Sequence, residues 1–213
     1  MSAWRGRVAA VLAVLGLCLA PGAGAAELKE GHDFREIYPP LAAARNKIEV
    51  TEFFWYGCPH CFDFEPVLMP WVRKLPADVV FRRVPAVFPN NKWTPGARLY
   101  YTLEAMNLLD RLHAEAFNAI HLERKRLDKE EVLFEWVATK GVDAARFKEA
   151  WASFGVESRI RQARELTRAA GLSGVPAVVV AGRYQAITPG TYGELIVLLD
   201  RLIDGVRAET GRK

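Results

Sequence analysis

Cys58 and Cys61 stand two residues apart, with Pro59 and His60 between them. A disulfide across that spacing closes a small, constrained ring, and the dithiol can exchange with other thiols. The attacking species in exchange is a thiolate, which is also the better leaving group. Residues 48–56 are apolar, β-branched and aromatic and read as a strand; residues 62–75 read as a helix. The first cysteine therefore falls at a helix start, where unpaired N–H groups favour negative charge. This predicts an exposed, attacking Cys58 and a more buried Cys61, one turn in, that resolves a mixed disulfide. Pro59 fits the first helical turn, offers no N–H and stiffens it. His60 can set a positive charge beside the thiolate or donate a hydrogen bond, and either lowers the pKa of Cys58. A protein that prefers its dithiol oxidises others, and about 1.4 kcal/mol corresponds to roughly 30 mV for this two-electron couple. The competing readings of the pair are a metal site and inert buried thiols. Structural zinc needs four ligands, commonly as two pairs. No second cysteine pair is present, and His32, His113 and His121 lack ligand spacing to the first. No metal is expected.

The chain has 213 residues, enough for one domain or one domain with a large insertion. At 51% hydrophobic it can form a real core. Its first residues read differently. Arg5 and Arg7 precede an almost wholly apolar run at 8–20, then Pro21, Gly22 and Ala23-Gly24-Ala25. This is the pattern of a secretory signal peptide over residues 1–25. A membrane anchor and a lipid-modified Cys18 are the alternatives; the run is short for a span, and bulky Leu17 precedes the cysteine. Cleavage after Ala25 removes two arginines, leaving 27 basic against 25 acidic residues, so the formal charge falls from +4 to +2. That is a mildly basic surface and not a nucleic-acid footprint. It also leaves only Cys58 and Cys61, a loop too small to restrain the chain much. The pair is there to react.

Along the chain, residues 26–41 form a lead-in broken by Gly31, Pro39 and Pro40, from which Phe34 and Ile37 dock on the body. The strand at 48–56 alternates weakly, which predicts a central position buried on both faces. Phe62, Val67, Leu68, Trp71, Val72 and Leu75 can line one helix face, and Pro66 should kink it. Residues 79–84 read as a second strand, parallel to the first by the crossover rule. From 94 to about 170 the pattern is helical, in five pieces. Thr94-Pro95 is a cap with a first-turn proline, leading Leu99, Leu103, Met106 and Leu109; Phe117, Ile120 and His121 sit in a second piece. Asp128 and Glu131 have capping-box spacing for a third. Phe147, Trp151 and Phe154 mark a fourth, and 160–170 a fifth that Gly171 ends. Glu123-Arg124-Lys125-Arg126 reads as solvated surface. After Val175-Pro176, residues 177–181 and 184–188 form two strands reversed at Gly182-Arg183. Thr191 and Glu194 have capping-box spacing before a closing helix. The order is β, α, β, helices, β, β, α. We therefore expect an α/β fold divided as 26–93, a helical insertion at 94–171, and 172–213.

Glu52-Phe53-Phe54, Cys58-Pro59-His60-Cys61 and Phe64-Glu65 together resemble the bacterial periplasmic thiol:disulfide oxidoreductases of the DsbA type. The resemblance covers about residues 30–205. It implies a thioredoxin fold with a helical domain inserted between its β-α-β and β-β-α halves. It implies a cis Val175-Pro176 bond beside the dithiol, with the Val175 backbone free to pair with an extended substrate peptide. Glu52 matches a buried acid beneath the dithiol that relays protons to and from Cys61; a solvated Glu52 is the alternative. That family often pairs the acid with a lysine. Here Arg83 takes the position, and an arginine does not readily give up its proton, which leaves it a charge-pair role. Trp55 and Tyr56, with Gly57, fit either an apolar lip around Cys58 that binds substrate or plain core packing. On family analogy, loops 85–93 and 189–190 add to a peptide groove.

The implied activity is donation of a disulfide to reduced, newly exported polypeptides in the periplasm, by a monomer without a small-molecule cofactor. The implied reoxidant is an inner-membrane, quinone-linked partner of the DsbB type. Competing readings are an isomerase or reductase on the same dithiol, a non-catalytic peptide-binding chaperone, and a glutathione-dependent enzyme. Isomerases resemble a design with an N-terminal dimerisation domain, for which too little chain precedes Ile48.

Overall fold

The computed structural model describes residues 27–90 and 92–211. The expected signal peptide and Cys18 lie outside the described residues. A five-stranded sheet runs in the order β1-β5-β4-β2-β3. Its strands are β1 (Phe34–Glu36), β2 (Ile48–Phe54), β3 (Val79–Pro85), β4 (Ala177–Val180) and β5 (Tyr184–Ala186). Every residue of β2 is buried, as its weak alternation predicts, including two acids, Glu49 and Glu52. β2 pairs parallel with β3, which places Glu52 opposite Arg83, and antiparallel with β4, which places Phe53 opposite Ala177. The lead-in corrects the sequence reading: Phe34 does not merely dock but begins an edge strand, antiparallel to β5. Three residues are too few for periodicity to reveal a strand.

α1 (Pro59–Val72) follows β2, with Pro66 and Pro70 both inside it. It buries Cys61, Phe64 and Leu68, whereas Val67, expected inward, is 36% exposed. Five helices lie between β3 and β4: α2 (Thr94–Ala105), α3 (Leu109–His121), α4 (Glu130–Thr139), α5 (Ala144–Trp151) and α6 (Phe154–Ala169). α7 (Tyr192–Thr210) closes the chain. Several expected boundaries move. Leu109 opens α3 and does not end α2, because the chain turns through Asn107 at φ 55. Phe154 begins α6 and is 80% exposed. Thr94 lies inside α2 and Trp93 is the cap residue. The Asp128 capping box does not form: both carboxylate oxygens of Asp128 accept from Arg126, and Lys129 takes the cap position. The reversal falls one residue early, with Ala181 and Gly182 at φ 53 and 69.

Two apolar clusters flank the sheet. Val50 and Val180 pack with Phe64 and Leu68 of α1 and Leu195 and Leu199 of α7. Phe53 and Phe54 pack with Leu99, Phe117, Trp136 and Ile160 of the helical segment. Each such side chain contributes about 1.5–3 kcal/mol when fully buried. α7 is started by a reciprocal box. Thr191 Oγ1 accepts from the Glu194 N–H at 3.2 Å, and the Glu194 carboxylate accepts from the Thr191 N–H at 2.8 Å. The next residue, Tyr192, donates its hydroxyl to the His60 carbonyl at 2.9 Å. The closing helix is thereby tied to the dithiol turn.

Candidate active site

Cys58 is the N-cap residue of α1, in extended conformation at φ −94 and ψ 115, and Pro59 follows in the first turn. The turn is fixed by the Cys58 N–H donating to the Trp55 carbonyl at 2.9 Å. Both cysteines are free thiols. Cys58 is only 8% exposed, against 0% for Cys61. The order of access is as expected, but Cys58 is itself buried at the edge of the core, which corrects the expected exposed thiol. Its thiol donates to the Val175 carbonyl at 3.4 Å, which closes one side of the sulfur. The Val175-Pro176 bond is cis.

The two thiols differ sharply in acidity. The pKa of Cys58 is lowered from 9.0 to about 6, first by a hydrogen bond from the Cys61 thiol, against the cost of burial. The N–H groups of Cys61 and His60 at the helix start come next, and the charge of His60 last. His60 therefore acts chiefly through its backbone; its ring is exposed. Cys61 is pushed far up, mainly by burial and then by its hydrogen bond to Cys58. The same S–H···S contact acidifies one sulfur and holds the proton on the other.

Beneath the pair, Glu52 is fully buried. One carboxylate oxygen accepts from Arg83 Nε at 3.0 Å, and the other is buried without a hydrogen-bond partner. Burial raises its pKa from 4.5 to about 7, against the pull of Arg83. A carboxyl in this setting keeps a proton near neutrality. The solvated alternative for Glu52 is excluded.

Comparison with known proteins settles the kinship. The family model described as a DSBA-like thioredoxin domain matches residues 49–193. The chain belongs to the DsbA-like thioredoxin family.

A DsbA thiol:disulfide interchange protein of Azotobacter vinelandii is 44% identical over 161 residues, 75% of each chain. That of Pseudomonas aeruginosa is 40% identical, covering 84% of this chain and 85% of its own. The P. aeruginosa DsbA crystal structure superposes with a TM-score of 0.79 at 39% identity, over 84% of this chain and 94% of that one. The DsbA structure from Xylella fastidiosa gives 0.79 at 33%, over 85% and 98%. This DsbA-like chain is thus a thiol:disulfide oxidoreductase on a thioredoxin fold.

The DsbA-like site extends further than the sequence reading placed it. Arg83 Nη2 donates to Glu65 at 2.7 Å, so one guanidinium joins both carboxylates. Glu65 is pulled upward by burial, but His113 and Arg83 outweigh that and hold it below its ordinary value. His113 Nε2 lies 3.5 Å from Glu65, and Nδ1 lies 2.8 Å from the Tyr56 hydroxyl. Burial lowers the pKa of His113. The ring shares a hydrogen bond with Tyr56 through Nδ1, while Nε2 faces Glu65 without a hydrogen-bond partner. Tyr56 is 1% exposed and packs in the core. Its carbonyl lies 2.8 Å from His121 Nε2, which fixes the strand end from α3. Trp55 is half-buried, 4.6 Å from the Trp93 ring centroid. A Cβ on Gly57 would meet the Trp55 ring at 2.5 Å, so any larger residue there must displace that ring. A cavity of about 700 Å³ is lined by Glu65, Arg83, Tyr100 and His113. Spacing could not have flagged His113, which reaches the site from a helix 52 residues after Cys61.

Proposed function

We propose that the chain donates its Cys58–Cys61 disulfide to reduced polypeptides in the bacterial periplasm, after export directed by residues 1–25. The observation that carries the direction is the split acidity of the dithiol, Cys58 near 6 and Cys61 far above its ordinary value. A substrate thiolate attacks Cys58 and forms a mixed disulfide, releasing Cys61. Cys61 takes a proton, and in this proposal Glu52, with a pKa of about 7 and a charge that acts on Cys61, supplies it. A second substrate thiolate then attacks the substrate sulfur and expels Cys58 as a stabilised thiolate. The substrate leaves with a disulfide, and two electrons remain in the dithiol. A DsbB-type quinone-linked membrane protein is the proposed acceptor of those electrons.

In this scheme Val175 and cis Pro176 present backbone to the substrate strand, Trp55 supplies apolar contact, and Pro59 and His60 shape the turn. Arg83 balances Glu52 and Glu65 and transfers no proton. We further propose that residues 94–171 act as the inserted domain between 26–93 and 172–213. Among the described residues, no helix is long and apolar enough to cross a membrane. The test is Cys61→Ser. With Cys61 absent, Cys58 should accumulate stable mixed disulfides when the reduced variant meets an activated disulfide peptide. Cys58→Ser should form none and oxidise no dithiol peptide. Full activity of Cys58→Ser would instead identify a binding module.

A further inference from the structure

A second cavity, of about 720 Å³, borders the dithiol turn on the side of Trp55, Tyr56 and Gly57. Its far wall is the loop from α3 to α4, the charge run that the sequence reads as solvated. The loop is held in place: Leu127 is 3% exposed, and the Lys125 N–H donates to the Ala119 carbonyl at 2.8 Å. Two of its cations are already matched. Lys125 lies 2.5 Å from Glu123, and Arg126 grips Asp128 with two bonds of 2.7 Å. Asp128 is the one acid among the residues lining the cavity. Arg124 and Lys129 are exposed there and form no ion pair among the described residues. Lys92 completes the set, 5.3 Å from the ring centroids of Trp55 and Trp93. The cavity thus has an aromatic floor and three cations outside the ion pairs, Lys92, Arg124 and Lys129. The Asp128 carboxylate, already gripped by Arg126, acts on Lys129 only at longer range.

We propose that this cavity is a subsite for acidic side chains of the substrate polypeptide, close in sequence to the cysteine being oxidised. The inference rests on the disulfide-donor reading above. The placement is set by the chain: Gly57 lines the cavity and Cys58 is the next residue. An extended substrate advances about 3.3 Å per residue. Side chains one to three positions from the bonded cysteine therefore lie about 3–10 Å from it along the strand, and these are the ones the proposal assigns to the cavity. An Asp or Glu entering there meets Arg124 and Lys129 on one wall and Lys92 on the other. Charge complementarity of this kind acts on encounter rate and on the choice among substrates.

The test uses the protein in its disulfide form and two dithiol peptides of equal length, one with glutamates flanking its cysteines and one with serines. Each rate is divided by the same peptide's rate with a small aromatic disulfide, which removes differences in peptide thiol acidity. At low ionic strength the acidic peptide should be favoured about fivefold, and about 1 M salt should erase the preference. Arg124→Ser with Lys129→Ser should bring the ratio near one. Arg161→Ser with Arg164→Ser removes the same charge from α6, outside the cavity wall, and should keep the preference. A ratio of one in the unaltered protein overturns the subsite. So does a preference that survives the loop substitutions, or one lost equally in the α6 control. Failure to oxidise either peptide would overturn the disulfide-donor reading and the subsite with it.

Discussion

Replacing Cys61 by alanine or by serine separates the causes of the low Cys58 pKa. In the reduced protein the Cys61 thiol is the first of those causes, ahead of the backbone amides and His60. A hydrogen bond to a charged group is worth about 1.5–3 kcal/mol. One pKa unit is about 1.4 kcal/mol. Cys61→Ala should therefore raise Cys58 from about 6 to about 7 or 8. Serine keeps a donor at the same place, so Cys61→Ser should stay close to 6. Ultraviolet thiolate absorbance followed against pH reads this directly, because each variant has one titrating thiol and Cys61 in the parent titrates far higher. At neutral pH the thiolate fraction of the alanine variant should fall by up to about tenfold, and its alkylation rate with it. An alanine variant that titrates with the parent would refute the assignment and leave the helix start as the whole cause.

Other perturbations reach the rest of the site. His60→Ala should raise the Cys58 pKa less than Cys61→Ala does, since the His60 charge is the last contribution; a larger rise in the same titration would reverse that order. Glu52 has a folded pKa of about 7, above its ordinary 4.5, so its contribution to folding is full below 4.5 and lost as pH rises through 7. Glu52→Gln should remove up to about 3 kcal/mol of that pH dependence in denaturant unfolding; an equally steep fall in the variant would place the titration elsewhere. Arg83→Met strands the buried carboxylate of Glu52 and removes the ion pair of half-buried Glu65. The loss should be about 3–5 kcal/mol by the same unfolding assay, and a loss under about 1 kcal/mol would show that the bridge is solvated.

The chemistry of the dithiol was legible because spacing alone places Cys58 before a helix and Cys61 inside it. The central strand was legible from its unbroken apolar run, and the α7 start from Thr191 and Glu194, whose box forms as read. The Asp128 spacing was equally good and failed, because a nearby arginine competes for the same carboxylate. The caps that do form on α5 and α6, from Asp143 and Ser153, have no reciprocal partner and left a weaker signal. The buried network was only half visible. Glu52 and Arg83 meet through strand register, which a β-α-β order implies. Glu65, His113 and Tyr56 meet through the packing of α3 on α1 and β2, which no local pattern encodes. The reduced access of Cys58 likewise depends on Val175, more than a hundred residues away.

An ionised Cys58 stabilises the dithiol and so drives oxidation of other proteins. The equilibrium constant with glutathione, measured against pH, tests it most directly. With Cys58 near 6 and an ordinary thiol at 9.0, the balance should shift toward the reduced protein about tenfold between about pH 5 and about pH 7. A constant that stays flat over that interval, or that favours the protein disulfide, would contradict the account.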